Sequence, residues 1–550
     1  MLMDYVRFKY FLAIGLLSSA ATVPAQNPAV LTAQYNNART NANNYEILLN
    51  PTNVNSTTFG KLGFWRLDAD AAAQPLYVPG VRVGDKTYNA LYVATMNNTV
   101  YALDADHPGS APLWHVHLGP TVPQGYEGKC PGGFAVGSQQ MGILSTPVID
   151  NGGETIYVVA TNPVPHPQQP EYGFTLYALD LRTGQRKLGD SVPISASAPG
   201  IGSASVNGTV AMGKINLLQR PGLLLSNGNV YIGFGSCGYD ISPFHGWVLG
   251  YSAENIRTQT VVFNTTPNGD GGGIWQSGQG LVADAHGSIY VEVGNGDTDE
   301  QANFGESFVK LSPAGAVQSF FTPSDFQMLS SLDEDLSSTA PLLASDQNLL
   351  IGSSKQGRIY VLNASSLGGV GNFVQTFWGG TECDPMTYSQ CNKVHSLAYW
   401  RAQDEPRLYV WATGDNLRAY AYNNGLFNTT PASQNAATSG YPGGMLTVTS
   451  AWGIPSTGIV WALTPAELHA FQATNVANEL WNSNQNAQRD ALVGGYHFAQ
   501  PTVANGKVFV SDGQNNLVVF GRLATTTQPG PPPPPPAPPP LASTPEMLKP

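Results

Sequence analysis

Residues 90–106 read ALYVATMNNTVYALDAD, and this stretch decides the fold of a chain of 550 residues. It contains an apolar run, a short polar turn and a second apolar run that includes Asp104 near its end. β-Branched and aromatic residues occur in both runs, and such residues favour strands. Two strands that flank a short polar turn form a hairpin. The stretch therefore predicts two neighbouring strands of an antiparallel sheet.

The same sequence pattern, two apolar runs around a short polar turn, recurs along the chain. Residues 173–184 (GFTLYALDLRTG) and 348–363 (NLLIGSSKQGRIYVLN) belong to two clear copies. Eight copies begin at Ala90, Thr155, Asn229, Ser288, Asn348, Arg407, Gly458 and Lys507. Their starts lie roughly 50 to 75 residues apart, which gives room for a four-stranded blade. The repeats predict an all-β, eight-bladed β-propeller with four-stranded antiparallel blades, and a solenoid of the same units is the alternative.

The last repeat lacks a strand of its own. It ends at Leu523 without the short strand that follows other copies, as at 113–114 and 480–481. Residues 61–65 (KLGFW) have the character of the missing strand. We therefore expect an N-terminal strand at 61–67 to pair with the last repeat and close the ring. Closure removes the open sheet edges that invite aggregation.

The first residues have the pattern of an export signal. Arg7 and Lys9 precede an apolar run at 10–21, and residues 23–25 (VPA) fit a small-residue cleavage site. The apolar run is too short to span a bilayer. We therefore expect 1–25 to be a signal peptide and the mature protein to be secreted to the periplasm or outside the cell, with no membrane span.

Composition separates the repeats from a tail. The propeller is expected at 26–523, and residues 524–550 include a run of nine prolines at 531–540 that is interrupted once, by Ala537. Such a run favours an extended, disordered segment and cannot build a core. The formal net charge of −12 argues against nucleic acid as a partner, because phosphate backbones are bound by clustered Lys and Arg. A basic electron carrier remains compatible with this charge.

Four cysteines occur in the chain. Cys383 and Cys391 are close in sequence and could close a small disulfide ring in an oxidising compartment. Cys130 and Cys237 would then form the second pair. Four cysteines allow three connectivities, and the sequence does not choose among them.

Several repeats end in Ala-x-Asp, in some cases followed by Thr-Gly and a bulky residue. Residues 102–104 with Trp114, and residues 178–180 with Thr183 and Gly184, carry this pattern. These repeats resemble the PQQ repeats of the quinoprotein alcohol dehydrogenase-like superfamily, over nearly the whole expected mature chain. The resemblance implies an eight-bladed propeller. It is less specific for function, because non-catalytic scaffolds share the repeat.

Residues 270–366 resemble the blades of methanol and ethanol quinoprotein dehydrogenases that hold pyrroloquinoline quinone (PQQ). The sequence GGGIW ends at Trp275 and resembles the family motif whose indole lies under the quinone. The sequence SKQG places Lys355 at the basic residue that reaches the quinone oxygens. Earlier in the chain, HGWV begins at His245 and resembles the family's Arg-Gly-Tyr-Val. The resemblance implies that these three side chains bind the cofactor.

The same resemblance implies a metal site. Asn295, in YVEVGNG, matches the family's metal-binding amide, and Asp240 is the nearest candidate for the carboxylate that precedes HGWV. Asp333, in LDED, matches the catalytic base. Asp335 matches a second aspartate that the family associates with a lanthanide rather than calcium. Amide and carboxylate oxygens are the ligands that hard cations prefer.

Two classes of function follow. The first is a secreted oxidoreductase that uses PQQ, with Ca²⁺ or a lanthanide, to oxidise a small-molecule alcohol or sugar. No haem-attachment motif Cys-x-x-Cys-His is present, so an external acceptor would take the electrons. The second class is a non-catalytic binding or scaffold propeller of the cell envelope. The chain departs from the enzymes at Cys130, which has no adjacent cysteine, and at Ala72, where the family has Glu.

Overall fold

Eight four- or five-stranded sheets follow one another along the chain. The computed structural model describes residues 28–123, 140–164, 171–213, 216–237, 240–383, 391–403, 405–495 and 497–524. Two strands precede the first repeat, β1 (Ala42–Asn43) and β2 (Phe59–Arg66). Blade 1 contains β3 (Leu76–Val83), β4 (Lys86–Ala94), β5 (Thr99–Asp104) and β6 (Trp114–His117). A short hairpin of β7 (Val122–Pro123) and β8 (Gln140–Met141) follows.

The next three blades repeat this plan with additions. Blade 2 contains β9 (Val148–Asp150), β10 (Thr155–Val164), β11 (Glu171–Asp180) and β12 (Arg186–Pro193), followed by a hairpin of β13 (Ser197–Pro199) and β14 (Thr209–Ala211). Blade 3 contains β15 (Leu217–Leu218), β16 (Leu224–Ser226), β17 (Asn229–Ser236), β18 (Trp247–Ser252) and β19 (Gln259–Asn264). Blade 4 contains β20 (Val282–Ala283), β21 (Ile289–Val293), β22 (Ser307–Leu311) and β23 (Val317–Thr322), with a 3₁₀ turn at Gln276–Gly278 before it and helix α1 (Phe326–Leu332) after it.

The remaining blades complete the ring. Blade 5 contains β24 (Leu342–Ala344), β25 (Leu349–Ser353), β26 (Arg358–Asn363) and β28 (Gln375–Trp378), while β27 (Gly369–Val370) pairs with β23. Blade 6 contains β29 (Leu397–Trp400), β30 (Arg407–Trp411), β31 (Asn416–Asn423), β32 (Leu426–Phe427) and β33 (Ser433–Thr438). Blade 7 contains β34 (Met445–Thr449), β35 (Ile459–Leu463), β36 (Leu468–Gln472) and β37 (Glu479–Asn482), with a 3₁₀ turn at Pro455–Thr457 and helix α2 (Ala487–Asp490) after it. Blade 8 contains β38 (Thr502–Ala504), β39 (Lys507–Ser511) and β40 (Asn516–Arg522).

Strand β2 completes blade 8. It pairs antiparallel with β40, from Phe59 opposite Arg522 to Arg66 opposite Asn516. The prediction that an N-terminal strand closes the ring is confirmed, although the strand covers 59–66 rather than 61–67. A solenoid is excluded, because β2, which precedes the first repeat, shares one sheet with the last repeat.

A recurring tyrosine links neighbouring blades. Tyr92 in blade 1 donates its hydroxyl hydrogen bond to the carbonyl of Leu181 in blade 2, at 2.8 Å. The equivalent bonds run from Tyr157 to Ala253, Tyr231 to Pro313, Tyr290 to Ala364 and Tyr409 to Ala473. Each bond satisfies a polar group that inter-blade packing would otherwise bury without a partner. The tyrosine of the repeat therefore packs between blades and also sets their register.

A segment before the first blade contacts every blade in turn. We call residues 30–45 the strap. Its backbone or side-chain hydrogen bonds reach Tyr77, Ile149, Leu225, Ala283, Leu343, Tyr399, Val448 and Val503, one in each blade in turn. The strap therefore packs on the inner strands around the whole ring.

Arg39 is the buried centre of the strap. Its guanidinium donates to the carbonyl oxygens of Leu281 at 2.7 Å, Ala33 at 2.6 Å and Leu223 at 3.1 Å, and to the hydroxyl of Thr32. Burial lowers the pKa of Arg39 to about 9, so the side chain remains a cation at neutral pH. One arginine thus binds together the strap and the inner strands of blades 3 and 4.

The disulfide expected between Cys383 and Cys391 is present, with the two Cα atoms 4.8 Å apart. Cys237 is buried just after β17, whereas its candidate partner Cys130 lies outside the described residues. The expected signal peptide at 1–25 lies outside them too, as does the proline-rich tail beyond residue 524. In the part of the chain that is described, no helix is long and apolar enough to cross a membrane.

Candidate functional site

The candidate residues lie in loops at one end of the ring. One candidate follows a central strand of each of blades 3, 4 and 5: Asp240 follows β17, Asn295 follows β21 and Lys355 follows β25. Trp275 and Asp333 lie in the connections that lead into the inner strands of blades 4 and 5. In an antiparallel blade, the turn after the second strand and the connection to the next blade lie at the same end. Three consecutive blades therefore bring these five residues to one face.

Asn295 is the centre of the polar network. Its Nδ2 donates to Asp240 at 2.8 Å and to Asp333 at 3.0 Å. Its Oδ1 is buried and has no hydrogen-bond partner among the described residues. Asp240 is held in turn by a hydrogen bond from Ser236. Two carboxylates and an amide from different blades thus meet at one point.

Glycine lets the backbone pass close to Asn295. Gly271 has a φ of +80°, and a Cβ atom there would lie 2.6 Å from the carbonyl oxygen of Asn295. The next amide, of Gly272, donates to that same oxygen at 2.6 Å. A side chain at 271 would require both strained dihedrals and a displaced Asn295. The glycines of the GGGIW motif therefore fix the loop that carries Asn295.

Lys355 joins the two aspartates of the LDED motif. Its Nζ lies 2.6 Å from Asp333 and 2.5 Å from Asp335, and 5.9 Å from the ring centre of Trp275. Burial lowers the pKa of Lys355, but the two carboxylates outweigh burial and raise the pKa above its ordinary value. Lys355 is therefore a permanent cation between the acidic residues and the indole.

The acidic groups outnumber this cation. Asp335 is buried, and burial raises its pKa although Lys355 opposes the shift. Glu306 is fully buried, and burial followed by the charge of Asp335 raises its pKa well above the ordinary value. Repulsion among these acids is the cause of the added shift, since like charges in a low-dielectric site disfavour ionisation. These buried acids therefore bind protons more readily than exposed carboxyl groups do.

Aromatic side chains from distant blades surround Trp275. Phe498 packs edge-to-face with the indole at 5.8 Å, and His395 lies 6.3 Å from it. His395 donates from Nδ1 to the carbonyl of Pro442 at 2.8 Å. Burial lowers the pKa of His395 to about 3, so its imidazole is neutral at physiological pH. Trp275 itself is only partly buried.

A polar cavity of about 560 Å³ opens beside Asn295. Asp240, Asn295 and Asp333 line it, together with Phe244, Asp270, Gly271, Gly296, Asp297, Ser330 and Ser331. The side chain of Asp333 is 65% exposed, so its carboxylate is accessible from the cavity. The site thus combines accessible carboxylates with a neighbouring indole and lysine.

His245 is not part of this group. Its Nδ1 pairs with the hydroxyl of Thr266 at 3.0 Å, and its Nε2 lies 2.9 Å from the carbonyl of Ser203. Among the described residues, no hydrogen bond or ring contact joins His245 to Trp275 or Lys355. His245 instead anchors the loop before β14, whose Ser203 hydroxyl donates to Asp270 at 2.5 Å.

Sequence reasoning missed several residues around the cavity. Asp270 and Asp297 flank the GGGIW and GNG motifs, so acidic residues next to a motif were an available signal. His395 and Phe498 had no such signal, because they come from blades 6 and 8 and belong to no recognised motif.

No protein-family model and no curated protein matches the sequence. Among solved structures, the quinohemoprotein alcohol dehydrogenase of Pseudomonas putida is similar, with a TM-score of 0.57, 14% identity and coverage of 94% of this chain and 83% of the other. The quinohemoprotein alcohol dehydrogenase of Comamonas testosteroni gives 0.58 and 14%, with 90% and 80% coverage. A europium-containing methanol dehydrogenase gives 0.57 and 14%, with 90% and 98% coverage. The chain therefore has the eight-bladed propeller fold of the quinoprotein alcohol and methanol dehydrogenases.

Proposed function

We propose that this protein is a secreted dehydrogenase that uses PQQ and a metal ion to oxidise an alcohol or a sugar, and passes the electrons to an external carrier. The observation that carries the proposal is one cluster of five residues: Asn295, Asp240 and Asp333 line the cavity, Lys355 pairs with Asp333, and Trp275 lies beside Lys355. These residues come from three consecutive blades and follow the order of the family's motifs.

The residues present fit a cation. Asp240, Asn295 and Asp335 would hold it, because they offer carboxylate and amide oxygens; Asp240 and Asn295 line the cavity, and Asp335 is buried beside Lys355. The described residues contain no cluster of three or more His, Cys, Asp or Glu side chains arranged around a metal, so the amide is an essential donor. Turning the amide of Asn295 would place its partnerless Oδ1 between Asp240 and Asp333, where Nδ2 now lies. A bound cation would thus lie between the two aspartates, where the Nδ2 donor of Asn295 lies in the present orientation of the amide.

Each remaining residue has a separate task. Trp275 offers a flat face on which an aromatic cofactor can stack. Bound PQQ would accept a hydride, and the cation would polarise its reactive carbonyl. Asp333 is exposed to the cavity and would take the hydroxyl proton of the substrate. Lys355 holds Asp333 in position and keeps one further N–H donor beside the indole, 5.9 Å from its ring centre.

One observation favours a second candidate, a non-catalytic scaffold of the cell envelope. Lys355 already pairs with Asp333 and Asp335, and Asn295 already donates to Asp240 and Asp333. Most of the polar atoms of the cluster are therefore satisfied by one another. Such a self-contained network can serve to hold three blades in register.

Binding and turnover separate the two candidates. We expect purified protein to bind PQQ in calorimetry when Ca²⁺ or Eu³⁺ is present, and then to reduce a dye with an alcohol or a sugar. Asn295→Ala should weaken metal binding, and Asp333→Asn should abolish turnover while PQQ still binds. Asn475→Ala, an exposed turn residue on the opposite face of blade 7, is the control and should change neither. Absence of PQQ and metal binding would leave the scaffold as the function.

A further inference from the structure

Helix α1 ends at the candidate base and has one buried side chain. Leu329 is that residue, and the rest of the helix is exposed or partly exposed. The amides of Asp333 and Glu334 both donate to the carbonyl of Leu329. Asp333 itself adopts the left-handed conformation that ends the helix, with a φ of +56°. The position of Leu329 therefore sets the position of Asp333.

Leu329 packs against the Cys383–Cys391 disulfide. Leu329 and Cys383 form one buried cluster, and Trp378 and Cys391 pack against it. A helix of two turns has little stability of its own and depends on such tertiary contacts. The crosslink and Trp378 thus supply the apolar surface against which Leu329 packs.

The residues after Cys391 contact the two loops that carry Lys355 and Asp333. Lys393 lies 3.7 Å from Glu334, the residue next to Asp333. The carbonyl of Asn392 lies so close to Gly357, in the turn that carries Lys355, that a Cβ atom there would be 2.6 Å from it. Asn392 and Lys393 are also fixed to blade 6 by hydrogen bonds with Thr413. One short segment therefore supports the loops of both charged residues.

We propose that the Cys383–Cys391 disulfide positions Asp333 and Asp335 relative to Lys355 and Asn295. The disulfide links the end of blade 5 to a segment that is hydrogen-bonded to blade 6, and Leu329 of α1 packs against this disulfide. Without it, Leu329 loses its packing partner and the LDED loop loses its fixed place beside Asn295. The consequence for metal affinity rests on the proposed function, whereas the consequence for the order of the loop does not.

The test compares the full chain with the double variant Cys383→Ser/Cys391→Ser. We expect amide hydrogen exchange in residues 326–335 to become at least about tenfold faster, while inner strands of blades 1 and 2 stay unchanged. Eu³⁺ affinity should fall by about 10- to 100-fold, the range seen when groups that orient metal ligands are lost. The emission lifetime of bound Eu³⁺ in H₂O and D₂O should show additional coordinated water, because the Asp335 ligand is no longer held in place.

Three single variants on α1 provide the matched comparison. Leu329→Ala should reproduce the exchange and Eu³⁺ effects, and Leu329→Met should largely restore both. Met328→Ala, at an exposed position of the same helix, should leave both at the level of the parent chain. Equal effects of Met328→Ala and Leu329→Ala would contradict the proposal.

The outcomes also separate this inference from the proposed function. If the parent chain binds no Eu³⁺ but exchange at 326–335 still responds to the double variant, the metal site fails and the positioning of the loop stands. If exchange at 326–335 is unchanged in the double variant, the positioning role is wrong, whatever the metal does. Faster exchange with unchanged Eu³⁺ affinity in a chain that binds Eu³⁺ would also overturn it.

Discussion

His395 shows at the scale of one residue how burial creates a pH dependence. Its imidazole is buried and neutral, with its pKa lowered to about 3 by burial, and the nearby cations Lys355 and Lys393 act in the same direction. The unfolded chain has an ordinary histidine with a pKa near 6.5. Between these two values the unfolded state binds a proton that the folded state does not. Above about pH 6.5 His395 is neutral in both states and the fold keeps its full stability. As the pH falls from 6.5 toward 3, protonation of the unfolded state progressively lowers the free energy of unfolding.

His395→Asn tests this dependence. Asparagine keeps a donor near Nδ1 for the carbonyl of Pro442 but does not titrate. We expect the stability difference between the parent chain and the variant to shift by about 1.4 kcal/mol per pH unit below pH 6, in favour of the variant. Urea unfolding at pH 7, 6, 5 and 4.5 measures this difference. Parallel stability curves for the two proteins would show that His395 is not the cause.

The residue scale also shows what the sequence could predict. The meeting of Trp275, Asn295, Asp333 and Lys355 was predictable, because consecutive repeats place equivalent loops at the same end of neighbouring blades. The contact of His395 with Trp275 was not, because it joins blades that are two apart in the ring. The orientation of His245 was also inaccessible, since its partners Ser203 and Thr266 lie in loops outside the repeat.

Strand β2 makes a prediction at the scale of the element. Phe59 is fully buried at its start, and its ring packs 5.0 Å from that of Trp481 and 5.4 Å from that of Trp461 in blade 7. Phe59→Ala should cost about 3 to 5 kcal/mol of unfolding free energy, through lost packing and the cavity left behind. Phe64→Ala, on the same strand but 52% exposed, should cost no more than about 0.5 kcal/mol. Chemical denaturation compares the two, and equal costs would mean that Phe59 does not anchor the strand.

The boundaries of β2 illustrate the limit of pattern reasoning for elements. The apolar character of KLGFW identified the closing strand, but its first residues, 59 and 60, were missed. Gly60 pairs with Gly521 of β40, and the Arg489 side chain occupies the space that a Cβ at residue 60 would need. Such a contact between distant residues leaves no trace in the local pattern. The existence of the strand was therefore predictable and its start was not.

Arg39 carries a prediction for the whole molecule. Arg39→Leu would leave the carbonyl oxygens of Leu223 and Leu281 buried without their donor, at a cost of about 3 to 5 kcal/mol. Because the strap touches all eight blades, we expect hydrogen exchange to accelerate in the inner strands around the ring. Arg82→Ala, which removes only a surface pair with Asp85, should leave exchange unchanged. Acceleration confined to blades 3 and 4 would show that the strap does not couple the ring.

Ring closure has a consequence for the timing of synthesis. Phe59 leaves the ribosome early, whereas its partner Arg522 is among the last residues of the propeller to be made. At about 5 to 20 residues per second, the two are separated by roughly 20 to 90 seconds. During that interval β2 and the strap have no completed ring to join, and their apolar side chains are open to other chains. The nascent chain must therefore be protected from association with other chains, or kept extended, until its last strand has been synthesised.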